Sequence, residues 1–479
     1  MINIPFVGES YLMDSLNISA QSCINLYPEI YKQGNAKVVT ALRNTAGLDL
    51  FATMSSGSNK CRGAYESSTG RIFIARGNGV SEFSTAGVET FRFALTTGVT
   101  PSTSTIVRFA DNGTKMLVTD GTDGIEFDLD TNVATTITDT AYPSGAFIGL
   151  MDGFYLGNVP DTTLVRYSSV DDPTTWNTLS DFSKEGSSDP VTAFIVHDRR
   201  VWAFGAQSYE VFYNTGNSDN QFLRFEGTYS DIGIAAPDSL ATDGNSLFWL
   251  GSSQAGFGQI YMSQGFNGVP ISTVPIERAI HTYTITNDAE GFCYQQDGHN
   301  FYVLTFPSED KTWVYDTTTG MWHERSFRNT SNARAERIRP RVHVYFNGKN
   351  YLGDYENGNI YSYEQDVYTD DGDPIVRERT SPHIWQALER IYYASFQLDV
   401  ETGVGLPTGQ GDDPKIMLSW SNDGGNTYSN EYQLSSGKIG EYKTRVKKNR
   451  LGQSRDRVFK VTYSDPTSFN ILSAHIEVG

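Results

Sequence analysis

The chain has 479 residues, enough for about three domains at a rough 150 residues each, so it has no need of disulfide or metal staples to bury a core. With 37 Lys+Arg against 56 Asp+Glu its formal charge is −19, which excludes a protein that wraps nucleic acid over a broad surface, because phosphates need cationic partners. The cysteines Cys23, Cys61 and Cys293 stand far apart and make no disulfide framework or Cys-x-x-Cys pair; the N-terminus lacks the basic and apolar regions of an export signal, and no apolar run reaches membrane-spanning length. A soluble chain that needs no oxidising compartment is expected.

Glycine (45), Phe (27) and Tyr (27) are abundant, and apolar stretches run only four to six residues before Gly, Asn or Asp, as in Arg71-Ile-Phe-Ile-Ala-Arg-Gly-Asn-Gly79. This is the pattern of strands joined by tight turns and predicts an all-β fold. Residues 1–50 hold little that is self-sufficient, and are read as an extended segment able to donate a closing strand to the last repeat unit. From there a pattern recurs: polar turn, apolar strand, Gly/Asp/Ser turn, second strand. Its copies begin at 69, 112, 152, 197, 243, 297 and 347, separated by 43, 40, 45, 46, 54 and 50 residues. Such spacing suits four-stranded blades of a β-propeller over 51–366, each copy supplying a blade's inner hairpin, and seven blades is the simplest count; a sandwich array is the competing arrangement. The pattern breaks at Tyr368-Thr-Asp-Asp-Gly-Asp-Pro374, and strands at 394–400, 415–420, 457–463 and 469–478 predict a small antiparallel β-sandwich over 367–479. Pro382–Ile391 is the one stretch with helical spacing, through Ile384, Leu388 and Ile391, with a strand equally open.

Chemistry-bearing motifs are few. Gly77-Asn-Gly79 and Gly256-Phe-Gly258 lack the third glycine and the helix of a dinucleotide site, the seven histidines show no metal-ligand spacing, and Asp128-Leu-Asp-Thr-Asn132 lacks the glycine and distal glutamate of a calcium loop. No cofactor, metal or catalytic residue is expected. Ser421, Asp423, Gly425, Thr427 and Tyr428 match the Asp-box turn of sialidase-like propellers, a structural device in which the carboxylate accepts backbone N–H groups and the glycines permit positive φ. A glycan-binding or glycan-cleaving propeller is therefore the alternative function, although one turn supplies no catalytic carboxylates. Charge is more informative. Arg325, Arg328, Arg334, Arg337, Arg339 and Arg341 cluster between the last two repeats, and Lys443, Arg445, Arg450, Arg455 and Arg457 belong to a second basic stretch (438–460). Both are candidate interfaces for acidic partners; the competing reading is of solvated faces balancing nearby acids.

Ile24-Asn-Leu-Tyr-Pro-Glu29, Gly205-Ala-Gln-Ser-Tyr-Glu-Val-Phe-Tyr-Asn-Thr-Gly216, Phe225-Glu-Gly227 with Gly233, Ser419 to Gly425, Gly437 to Arg445 and Arg450 to Phe459 together resemble the packaged-DNA stabilisation proteins of short-tailed bacteriophages. The resemblance spans nearly the whole chain and carries over no catalytic residue. It implies a structural tail-hub subunit of the virion, assembled in the host cytoplasm. The subunit would form a hexameric ring under the portal and adaptor proteins, close the exit channel on the genomic DNA, and receive the tail needle and tailspikes without entering a membrane. An acidic body agrees with a channel that must not grip DNA.

Overall fold

The computed structural model describes residues 1–31, 38–53, 60–95, 105–254, 256–331 and 334–479. Four-stranded antiparallel meanders follow one another along the chain, because each short apolar run ends at a turn residue that sends the next strand back beside it. Blades 1 to 4 are separate sheets: Cys61–Glu66 to Glu89–Ala94, Arg108–Asp111 to Ala134–Thr136, Ile148–Met151 to Asp172–Ser183, and Val191–His197 to Phe222–Arg224. Blade 5 (233–270) begins with two short strands on Leu247–Ser253, and blade 7 (340–364) lies in a six-stranded sheet. Blade 6, Glu290–Gln296 to Met321–Arg325, is a four-stranded meander continuous with a ten-stranded sheet that runs on into the C-terminal domain. The seven expected hairpins are thus distributed over six separate blade sheets and one shared sheet. First strands touch in order around a β-propeller, blade 5 through its 237–239 turn, and Pro340–Phe346 of blade 7 meets Cys61–Glu66 of blade 1.

The repeated strand pair falls in the middle of each blade, not at its inner edge: Ile72–Arg76 and Gly79–Phe83, for example, are the second and third strands of blade 1. Second strands are covered on both faces by neighbouring blades and read as near-continuous apolar runs, as in Ile72–Arg76 and Arg200–Gly205, whereas the first strands Cys61–Glu66 and Arg108–Asp111 keep polar groups. The propeller core lies between blades, as where Phe73, Val80 and Phe93 of blade 1 meet Met116, Val118 and Phe127 of blade 2.

The first 50 residues work in both domains. Gly47–Ala52 pairs antiparallel with Ile360–Glu364 and supplies the outer strand of blade 7. Leu26–Ile30, Thr40–Asn44 and Ile2–Ile4 instead join Ile391–Val400, Ile471–Val478 and Val446–Asn449 in one sheet of the β-sandwich. The facing sheet holds Arg377–Thr380, Asp456–Tyr463, Lys415–Ser421 and Tyr432–Ser435, and Cys23–Ile24 bridges it to blade 6. Between them Ile4, Phe6, Leu26 and Leu42 pack with Phe396, Leu418, Phe459 and Ile476.

Pro382–Ile391 forms no helix. Ile384–Trp385 pairs with Asp456–Arg457, after which the chain turns through Ala387 (φ 43°) and Leu388 (φ 64°). The one α-helix among the described residues, Val274–Thr282, stands between blades 5 and 6, buries Ile276 and Ile280 one turn apart, and has Pro275 in its first turn.

Candidate interaction surfaces

The two basic stretches have different fates. In the first, Arg325 is buried against Phe301 (5.0 Å from guanidinium carbon to ring centre) and donates to the Tyr363 hydroxyl at 2.6 Å and to His323 Nε2 at 3.1 Å. His323 can accept because burial, foremost, and Arg325 push its pKa well down and keep it neutral. Arg341 clamps Glu290 through Nε (2.9 Å) and Nη2 (2.6 Å), and Arg337 lies 4.0 Å from the same carboxylate, stacked 3.7 Å over Tyr355. Arg339 pairs with Asp373 at 2.9 Å and covers Phe327. These four arginines lock blades 6 and 7 together and to the segment that follows. Arg328 is half-buried, and exposed Arg334 lies 3.4 Å from Asp310.

In the second stretch, Arg457 is buried over Tyr393 (4.2 Å) and donates to Asn422 Oδ1 at 2.9 Å and the Leu451 carbonyl at 2.8 Å. Lys447 reaches Glu477 at 3.6 Å, Lys448 sits over Tyr432, and Lys460 reaches Glu378 at 3.6 Å. Lys443, Arg445, Arg450 and Arg455 remain exposed and form no ion pair among the described residues. They flank Val446–Asn449, the terminal strand of its sheet, where cations also guard an open edge against strand addition.

The Asp-box turn is closed by its own hydrogen bonds. Ser421 Oγ donates to Asp423 Oδ1 at 2.6 Å and accepts from Gly425 N at 2.8 Å, while Thr427 N donates to Asp423 Oδ1 at 2.9 Å. The Ser421 bond, then those from Thr427, pull the Asp423 pKa down to about 2. A Cβ on Gly424 or Gly425 would collide with Asn17 or Ala20, so the turn docks on the N-terminal segment; Lys460 covers Tyr428. The carboxylate of Asp128 likewise caps its own turn, accepting from Asp130 N and Thr131 N.

Exposed carboxylates line one end of the propeller. The turns joining first to second and third to fourth strands all fall there, as contacts between blades show: Arg199 to Asp152 at 2.7 Å and Asn112 to Asp171 at 3.3 Å. Asp130, Asp152, Asp171, Asp198, Asp219 and Asp297 are exposed or half-buried on these turns. Asp152, Asp198 and Asp297 have φ near 50°, a conformation that Asp, Asn and Gly adopt most readily, so the same residues that make the turns also charge the face.

Sequence patterns did not reveal two cavities. One, of about 520 Å³, is lined by first strands through Tyr65, Arg108, Phe109, Phe147 and Leu150. Its guanidinium is already engaged, since Arg108 stacks 3.6 Å over Phe147 and pairs with Asp238 at 2.5 Å. The other, of about 590 Å³, is lined by Asp243, Cys293, Gln295, His343 and Asn350. Burial pushes the Cys293 thiol well up and His343 down to about 4, leaving a neutral thiol and a neutral imidazole that donates from Nε2 to Asn350 Oδ1 at 2.9 Å. Cys293 is therefore not a thiolate at neutral pH. Among the described residues no cluster of His, Cys, Asp and Glu has metal-binding geometry, and no helix is long and apolar enough to cross a membrane.

A smaller space between propeller and sandwich is bordered by Asp370, Arg325 and Arg339. Part of Asp370 meets solvent, yet burial of its carboxyl outweighs Arg339, Arg377 and Arg325, and with Asp373 pushes its pKa up to about 7. A carboxyl raised in the folded state holds a proton that the unfolded chain releases near pH 4, so this contribution is complete below about pH 4 and is lost as pH rises through 7. Asp370→Asn is therefore expected to raise the melting temperature at pH 8 by more than at pH 5. An equal difference from wild type at both values would refute the assignment.

A β-propeller closed by an N-terminal strand and joined edge-on to a β-sandwich built from both chain ends defines a two-domain all-β protein. The model for the Bacteriophage P22 Gp10 β-propeller matches residues 2–368 and that for the Bacteriophage P22 Gp10 β-sandwich matches 376–479. The chain belongs to this family of phage structural proteins. No curated protein matches it. Solved structures similar to it include a catalytically inactive virginiamycin B lyase from Staphylococcus aureus with quinupristin (11% identity, 66% of this chain and 98% of that one, TM-score 0.46). Others are the Pan2 WD40 domain of Neurospora crassa (8%, 67% and 96%, 0.43) and BamB from Moraxella catarrhalis (11%, 71% and 97%, 0.39). At these scores they carry no argument about function.

Proposed function

We propose that this protein is a structural component of the phage tail: a homohexameric hub ring below the portal and adaptor that closes the DNA exit, retains the packaged genome, and gives tail needle and tailspikes their attachment. The observation that carries the reading is the match of both Gp10 models, in order, over the two domains. The surface chemistry supports it. Exposed arginines at the sandwich edge and carboxylates at one end of the propeller suit subunit docking, and a net charge of −19 disfavours adhesion to DNA that must later move. The role is structural and not catalytic, in keeping with the neutral Cys293 and His343 of the larger cavity. Assembly takes place in the host cytoplasm.

Particles assembled without this chain are expected to fill with DNA and then lose it, measured as the ratio of DNA-filled to empty heads. Heads that stay filled in its absence would remove the genome-retention role.

A further inference from the structure

The loop that follows the short strand Ile384–Trp385 carries three large apolar side chains into solvent: Trp385 (62% exposed), Leu388 (77%) and Tyr392 (49%). The return segment 450–456 runs beside it, with Trp385 opposite Asp456, Tyr392 opposite Gln453, and Arg450 N donating to the Ala394 carbonyl at 2.8 Å. Arg390, Arg450 and Arg455 rim these side chains, are exposed, and form no ion pair among the described residues. The loop holds Ala387 and Leu388 at positive φ, a conformation unfavourable for residues that carry a Cβ, and Leu388 recovers little of that cost by packing on its own chain. An exposed Trp and Leu ringed by unpaired arginines have the composition of an interface centre with a basic rim.

The complement is on the same chain. At the carboxylate-lined end of blades 2 to 4, Asp130, Asp171, Asp198 and Asp219 are exposed without an ion pair among the described residues, and Val133 (56%) and Val170 (58%) stand exposed beside two of them. The sandwich joins the ring at blades 6 and 7, and blades 2 to 4 lie across the ring from that junction. Placed on opposite sides of one subunit, the two surfaces cannot meet each other within it. Head-to-tail contact between copies brings them together, and a heterologous contact of this kind generates a ring when its rotation closes.

We infer that the Trp385–Leu388–Tyr392 patch of one subunit docks on the blade 2 to 4 turns of a second copy of this chain, with Arg390, Arg450 and Arg455 facing Asp130, Asp171, Asp198 and Asp219. The inference rests on the ring reading given above. The test uses full-length chain with Leu388 replaced by p-benzoylphenylalanine, assembled into particles and irradiated. A cross-linked dimer is expected, joining position 388 to peptides containing 128–133, 170–172, 197–200 or 217–220. Arg450→Asp with Arg455→Asp is expected to lower its yield by about tenfold, and adding Asp130→Arg with Asp171→Arg to restore it. Cross-links to a different protein, to another part of the second copy, or none at all would overturn the inference. Such results leave genome retention intact, because that reading fails only if heads lacking the chain stay filled.

Discussion

Deleting residues 2–46 is expected to unfold the sandwich while leaving the propeller ring closed, and deleting residues 2–53 to open the ring as well. The segment is the chain's first, yet four of its apolar side chains, Ile4, Phe6, Leu26 and Leu42, lie in the C-terminal core, the last two without solvent contact. At about 2 kcal/mol for each buried side chain of this size their removal costs about 8 kcal/mol, comparable with the whole stability of a typical domain. Gly47–Ala52 acts separately. It is the outer strand of blade 7, pairs from Gly47–Glu364 to Ala52–Ile360, and buries Leu48. Without it Ile360–Glu364 becomes an unpaired edge, and the ring loses the strand that ties its last blade to the N-terminal part of the chain. The shorter deletion should therefore keep a protease-resistant fragment spanning the blades, and the longer one should keep none. A 2–53 deletion that melts cooperatively within a few degrees of the full chain would show that closure does not depend on this strand.

Arg379→Met is expected to destabilise the protein by about 4 kcal/mol, and Arg379→Lys to recover little of it. The guanidinium is fully buried and donates through Nε to the Phe6 carbonyl at 2.7 Å, through Nη1 to the Glu9 and Ser22 carbonyls at 2.8 and 3.1 Å, and through Nη2 to Gln21 Oε1 at 3.2 Å. One side chain thus satisfies three main-chain acceptors of the N-terminal segment and fastens that segment to Arg377–Thr380. Methionine fills much of the volume but leaves those carbonyls unpaired where water does not readily replace the donor. Lysine is a point donor on a flexible stem and cannot reproduce the fork that reaches Phe6, Glu9 and Ser22 together. Chemical denaturation reads the loss directly; a change below about 1 kcal/mol for the methionine variant would mean that the segment is held by its apolar contacts alone.

Much of the architecture was legible because hairpins are local. Asp297-Gly298 and Asn347-Gly348 turn the chain through their own φ angles, and the strands on either side alternate or run apolar according to how many faces are covered. The Asp-box is legible for the same reason, since every donor to Asp423 lies within four residues of it. The helix at Val274–Thr282 left a fainter local signal, Thr273 before Pro275 with Ile276 and Ile280 four apart, while the similar spacing at Ile384, Leu388 and Ile391 was misleading: pairing with Asp456–Tyr463 takes Ile384 into a strand and leaves Leu388 in solvent.

The arginines show where reading along the chain stops. Arg325, Arg337, Arg339 and Arg341 looked like a docking strip, but Glu290, Tyr363 and Asp373, each more than 20 residues from at least one arginine it meets, hold them inside. Alternation at 337, 339 and 341 was the available hint that one face of an extended segment turns toward a partner within the fold. Turn chemistry and strand period, and with them the repeated hairpins, the all-β class and the acidic turns, were determined by the sequence itself, because they depend on neighbours a few residues apart. Only the tertiary structure decided which charges stay in water, which end of the chain completes which domain, and that the sandwich joins the ring at blades 6 and 7. Those outcomes depend on pairings hundreds of residues long, whose closure is repaid only when the whole β-scaffold forms together.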